Sequence, residues 1–147
     1  MDSIKLQFNT PKLKKLKTVY IVEDNPMESD MLTDFFSRYK NLTIKTFLNG
    51  DACIKDVIVS KVSPDLIFID YFLDASSSSS KDGLEILSKL REVSPNSECV
   101  MLTSVDNERI MELASKKGAM SYIVKGAEGY KKLESIVRST FSVEEIE

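Results

Sequence analysis

From residue 18 onward, short and nearly continuous apolar runs alternate with longer stretches in which apolar residues recur at helical spacing. The runs are Val19–Val22, Leu42–Phe47, Leu66–Ile69, Val100–Leu102 and Tyr122–Val124. Such runs, bounded by polar residues, read as strands buried on both faces. Between them, Met27, Met31, Leu32, Phe35 and Phe36 fall on one helical face, and so do Ile54, Val57 and Ile58. Leu84, Leu87 and Leu90 form a third stripe, Ile110, Leu113 and Ala114 a fourth, and Leu133, Ile136, Val137 and Phe141 a fifth. Pro64, Pro95 and Gly118 punctuate the ends of the second, third and fourth helices. The alternation predicts an α/β fold of five strand–helix units, (βα)5. Its right-handed crossovers make a parallel sheet covered by helices on both faces. The first and third strands are the most continuously apolar and belong at the centre.

The two ends depart from this pattern. Ile4, Leu6 and Phe8 alternate with Lys5 and Gln7, as in a short half-buried strand, and "PKLKKLK" follows. Residues 1–17 are therefore expected to be a basic extension, either a solvated arm or a partner-docking or extra edge strand. Residues 18–141 form the domain, and 142–147 ("SVEEIE") form an acidic tail. The only low-complexity segment is Ser76–Ser80.

A chain of 147 residues suits one domain with a full core. A net charge of −3 gives no overall attraction to nucleic acid or to acidic membranes, so neither is expected as a partner. No apolar stretch approaches the roughly 18 residues needed to cross a bilayer, and the N-terminus lacks the apolar core of a secretory signal. The two cysteines, Cys53 and Cys99, sit in apolar segments and make no ligand cluster, as free thiols of a reducing cytoplasm would. Histidine is absent, which excludes a histidine nucleophile, a histidine base and a phosphohistidine carrier within this chain.

The chemistry should lie beyond the carboxyl ends of the strands, where open α/β sheets bind their ligands. Glu23-Asp24-Asn25 ends the first strand, Asp70 the third, Thr103-Ser104 the fourth and Lys125 the fifth. Three carboxylates on one rim repel, so they take up protons or a cation. Mg2+ prefers oxygen ligands and pairs protein carboxylates with phosphate oxygens. A carboxylate can also attack phosphorus to give an aspartyl phosphate. The transferred group then needs cations and donors around its oxygens, which Mg2+, the Lys125 ammonium and the Thr103 hydroxyl can supply.

With these motifs in order, residues 18–141 resemble a receiver domain of a two-component response regulator. "VYIVEDN" resembles the first-strand motif, which implies Glu23 and Asp24 as Mg2+ ligands. "LIFIDYFL" resembles the phosphoacceptor strand and implies Asp70 as acceptor, with Asp70 and the backbone carbonyl of Phe72 completing the metal site. "VMLTS" implies Thr103 as the switch hydroxyl, and "SYIVKG" implies the switch aromatic Tyr122 and the site lysine Lys125. The resemblance further implies a flavodoxin-like strand order 2-1-3-4-5. The expected protein is a cytoplasmic phosphorelay switch, not an enzyme beyond its own phosphorylation and dephosphorylation. A sensor histidine kinase or phosphotransfer protein would be the donor and another protein the downstream target. A dimer would use the face of the fourth helix, fifth strand and fifth helix. With no output domain after residue 141, the chain reads as a stand-alone regulator or relay, or as a fragment. The alternative is a degenerate receiver that binds proteins without phosphorylation.

Two features depart from the family pattern. Gly126 follows Lys125 where receivers commonly have proline, often after a cis peptide. The path from Asp70 to Asp82-Gly83 is also longer than usual, so Ser76–Ser80 reads as an insertion over the rim, a spacer or a partial shield. Two other families fit less well. A haloacid-dehalogenase-type enzyme needs a second acid two residues after its nucleophile, and position 72 is phenylalanine, with Asp74 too far along. A flavodoxin needs a Ser/Thr-rich phosphate loop where this chain has Glu23-Asp24-Asn25.

Overall fold

The computed structural model describes residues 13–73 and 82–146. The expectations for Ile4, Leu6, Phe8, Asp74 and Ser76–Ser80 lie outside the described residues. Among the described residues, seven strands and five helices follow in chain order. They are β1 (Lys14–Lys15), β2 (Thr18–Val22), α1 (Pro26–Phe36), β3 (Thr43–Phe47), α2 (Gly50–Ser60) and β4 (Leu66–Asp70), then α3 (Gly83–Val93), β5 (Glu98–Thr103), α4 (Glu108–Lys116), β6 (Ser121–Val124), α5 (Ala127–Thr140) and β7 (Phe141–Ser142).

Strands β3-β2-β4-β5-β6 form one all-parallel sheet, which is order 2-1-3-4-5 when these five are counted alone. Side chains alternate across it. Val19, Ile21, Phe68, Val100, Leu102 and Ile123 meet the inner faces of α1 and α5. Tyr20, Val22, Ile67, Ile69, Cys99 and Met101 meet α2, α3 and α4. The central strand β4 is buried along its whole length, so its last residue, Asp70, is held as firmly as the core behind it.

Three residues assigned to helix stripes are exposed: Met27 (72%), Met31 (51%) and Ile58 (53%). Each lies at the margin of its stripe, where the curvature of the helix carries it off the sheet. The buried positions are Leu32, Phe35 and Phe36 on α1, and Ile54 and Val57 on α2.

Residues 13–17 and 141–146 meet below the sheet. Lys14–Lys15, from the expected extension, pairs with Phe141–Ser142 as the parallel ribbon β1–β7, so Phe141, expected on the last helical stripe, lies in a strand just beyond it. Leu16 and Phe141 are both buried in the α1/α5 core layer, with Val143 packed against it. Lys40 N–H donates to the Glu144 carbonyl and Ile146 N–H to the Arg38 carbonyl, which fastens the tail to the end of α1. Apolar residues at 16, 141 and 143 account for the packing of these two segments against the core.

Two glycines allow helices to approach the upper rim. A Cβ at Gly83 would lie 2.5 Å from the Asp70 carbonyl oxygen, and one at Gly129 would lie 2.1 Å from that of Val124. Neither space exists for a side chain.

Candidate functional site

The rim is built by the ends of β2, β4, β5 and β6. Glu23 continues β2, its N–H bonded to the Phe47 carbonyl, and its side chain is 1% exposed. Asn25 then turns the chain into α1, its Oδ1 accepting from Met27 N–H (3.0 Å) and Glu28 N–H (3.2 Å), with Pro26 in the first turn. This cap aims the first turn of α1 at the end of β6. There Lys125 begins a loop to α5, its N–H bonded to the Thr103 carbonyl at 2.7 Å.

Glu23, Asp24 and Asp70 each place a carboxylate oxygen within 4.8 Å of the others. Lys125 Nζ reaches into this group, 3.0 Å from Glu23 Oε1 and 3.5 Å from Asp70 Oδ1. It lies closer still, 2.5 Å, to Glu28 Oε2 from α1. Burial, and the hydrogen bond and charge of Asp70, push the Glu23 carboxyl above its ordinary range; Lys125 pulls the other way and is outweighed. Burial opposes the charge on Lys125, yet Glu28, Asp70 and Glu23 together raise it. Glu23, Asp24 and Asp70 thus crowd carboxylates at one point of the rim. The donor set is all oxygen and partly buried, which fits Mg2+.

Phe72 N–H donates to Asp70 Oδ1 at 3.1 Å, so the chain after β4 folds back beside the carboxylate, with the Phe72 side chain exposed. Thr103 is fully buried at the end of β5, its Oγ1 accepting from Val105 N–H at 3.2 Å. Tyr122 already points inward at 6% exposure, and its hydroxyl donates to the Val105 carbonyl at 2.8 Å. One residue of the β5–α4 loop is thus held from both sides, by Thr103 and by Tyr122. The Lys125–Gly126 peptide is trans, with Gly126 at φ 135°.

The residues singled out by strand-end position, Glu23, Asp24, Asp70 and Lys125, come together. Sequence reasoning missed Glu28. An acid in the first turn of a helix reads as a favourable dipole contact, and nothing local announces a lysine 97 residues away. Below Glu28 and Lys125, a cavity of about 360 Å³ runs between α1 and α5, walled by Met31, Leu102, Ile123, Tyr130 and Leu133. Burial raises the Tyr130 hydroxyl there, with Glu28 adding to the shift. Cys53 and Cys99 are free and buried; burial pushes both thiols up, that of Cys99 to about 12. Among the described residues, no helix is long and apolar enough to cross a membrane.

The model of the response regulator receiver domain matches residues 19–138. The nitrate/nitrite response regulator NarL of Escherichia coli K12 is 29% identical over 112 residues, 76% of this chain and 49% of its own. The probable C4-dicarboxylate response regulator DctR of Bacillus subtilis is 26% identical over 108 residues, 73% of this chain and 45% of its own. This chain therefore spans about half the length of those relatives. The chemotaxis protein CheY of Halobacterium salinarum is 26% identical over 74% of this chain and 84% of its own. The fold is shared with a Borrelia burgdorferi CheY solved with CheX, BeF3 and Mg2+ (TM-score 0.72, 22% identity, 86% of this chain and 90% of that one). It is also shared with a Burkholderia pseudomallei response regulator carrying a phosphorylated aspartic acid and a calcium ion (TM-score 0.69, 21% identity, 86% and 67%).

Proposed function

The chain belongs to the response regulator receiver family of two-component systems, and from that premise we propose that Asp70 accepts a phosphoryl group in a Mg2+-dependent switch. The observation that carries this reading is Asp70 itself. It is a carboxylate fixed at the tip of a buried strand, 3.5 Å from a lysine ammonium and packed against two further acids.

An Asp70 carboxylate oxygen attacks phosphorus, and the bond from phosphorus to the donor breaks. From a small acyl phosphate the leaving group is a carboxylate. From a phosphohistidine it is an imidazole nitrogen, which takes up a proton. With no histidine in this chain, the phosphohistidine belongs to a sensor kinase or phosphotransfer protein. Glu23, Asp24, Asp70 and the Phe72 carbonyl are the residues to hold Mg2+, and the ion when bound supplies positive charge at the phosphoryl oxygens. Lys125 contributes its ammonium to the same oxygens, and Thr103 a hydroxyl donor.

Recruiting the Thr103 hydroxyl disturbs its bond with Val105. Tyr122 holds the other side of that residue, so the β5–α4 loop and the face formed by α4, β6 and α5 respond together. Tyr122 is turned inward, 6% exposed. The phosphoryl group would act by biasing a pre-existing equilibrium of this loop and of the Tyr122 ring. That face is the proposed surface for a downstream protein or a second receiver.

Incubation with acetyl phosphate and Mg2+ should add one phosphoryl group by intact mass. Asp70→Asn should add none, and excess chelator should stop labelling of the wild type. Equal labelling of the Asn variant would reject Asp70 as acceptor.

A further inference from the structure

Lys125 is shared unevenly. Its ammonium is 2.5 Å from Glu28, 3.0 Å from Glu23 and 3.5 Å from Asp70. The shortest contact is thus to a carboxylate outside the acid cluster, in the first turn of α1, and the longest is to the residue that gains the phosphoryl group. Glu28 is not drawn there by accident of a floppy side chain. The Asn25 cap and Pro26 fix the first turn of α1, and the Glu28 N–H itself is bonded to Asn25. The Lys125 side chain is 21% exposed and that of Glu28 38%, so the pair is partly shielded from water.

We propose that Glu28 is a positioning residue that competes with the phosphoryl group for Lys125 and so restrains phosphorylation; this rests on the reading of Asp70 as acceptor. For Lys125 to turn toward oxygens on Asp70, its short contact with Glu28 must lengthen or break. Glu28 also adds a negative charge beside the path of an anionic donor. Both effects act against the phosphorylated state, and both leave with the charge. The neutral amide of glutamine keeps the length and an acceptor oxygen for Lys125, so Glu28→Gln isolates the charge from the shape.

Two measurements on the full chain test the competition. At saturating Mg2+, Glu28→Gln should be phosphorylated by acetyl phosphate about two- to fivefold faster than wild type, the range expected for a partly solvated ion pair. The gap should close as salt is raised, because exposed charges are screened. In parallel, Mg2+ titration followed by tyrosine fluorescence should show the variant binding the ion more weakly or equally, since a nearby negative charge has gone. Faster phosphorylation with no gain in metal affinity is a split that a general loosening of the fold would not produce. A rate equal to or below wild type at every salt concentration overturns the proposal, and shows Glu28 to be neutral or a support for Lys125. A wild type that takes no phosphoryl group would instead remove the acceptor reading on which the proposal depends.

Discussion

The two ends of the central sheet treat buried carboxylates in opposite ways. At the lower end, Asp65 (6% exposed) accepts N–H bonds from Lys17 (2.8 Å) and Thr18 (3.0 Å) on one oxygen and pairs with Lys14 (2.8 Å) on the other. Burial works against its charge, but Lys14 and the two backbone donors outweigh it and hold the carboxyl below its ordinary range. Nearby, Ser97 donates to the Pro64 carbonyl and Arg91 to the Ser97 carbonyl, so polar groups there close on one another. At the upper rim, Glu23, Asp70 and Glu28 share the Lys125 ammonium beside Asp24, and the Glu23 carboxyl is raised. One end has matched its charges within the chain and contributes stability. The other crowds carboxylates together and raises one of them, as expected of a binding site.

The largest expected effect breaks the lower end. Asp65→Ala leaves two backbone donors and a lysine without their acceptor, and should cost about 2–4 kcal/mol in urea unfolding. A loss under about 0.5 kcal/mol would mean that the lower end is not anchored through this carboxylate.

A smaller effect of opposite sign is expected at the rim. Glu23→Gln removes a like charge from a crowded site and should stabilise the metal-free protein by about 1 kcal/mol while weakening Mg2+ binding. The pH dependence sharpens the contrast. Glu23 titrates higher in the folded chain than its ordinary 4.5, so its contribution is fully present below that value and is lost as pH rises through the folded pKa. Asp65 titrates lower than its ordinary 3.8, so its contribution is present above that value and is lost as pH falls through the folded pKa. Metal-free thermal unfolding should therefore weaken at both ends of the pH range. Asp65→Asn should flatten the acid side, and Glu23→Gln or added Mg2+ the side toward neutral pH. A Glu23→Gln variant with the wild-type profile above pH 5 would contradict this division.

Much of the rim was legible because parallel strands deliver residues to a common edge in a fixed register. Once the apolar runs are found, the residue after each run is placed. That logic reaches Glu23, Asp24, Asp70, Thr103 and Lys125. It does not reach Glu28, whose partner is set by the approach of α1 to the end of β6. Nor does it reach the lower end, where Asp65 follows Pro64 and reads as punctuation. Two-residue strands such as β1 and β7 have no periodicity to detect, and their pairing joins opposite ends of the chain. Met27, Met31 and Ile58 show the converse limit. An apolar residue at helical spacing is buried only if the neighbouring layer extends over it.

The smallest expected effect lies in a gap in the lower end. Tyr39 is buried at 3% exposure, and its hydroxyl has no hydrogen-bond partner among the described residues. Its ring packs with those of Phe35 and Phe36. Tyr39→Phe keeps that packing and removes the unpaired group, so the variant should equal or exceed wild-type stability, by about 0–1 kcal/mol in the same urea assay. A clear loss would show that the hydroxyl is satisfied in solution.

The central claim is that Asp70, among the crowded acids of the rim, is the residue that accepts phosphorus. Reduction with borohydride after treatment with acetyl phosphate and Mg2+ converts an acyl phosphate to an alcohol that survives proteolysis. Peptide mapping should then find the reduced side chain at position 70 and at no other acid. Recovery of the label at Glu23 or Asp24, or no label anywhere in a folded, Mg2+-saturated protein, would contradict the account.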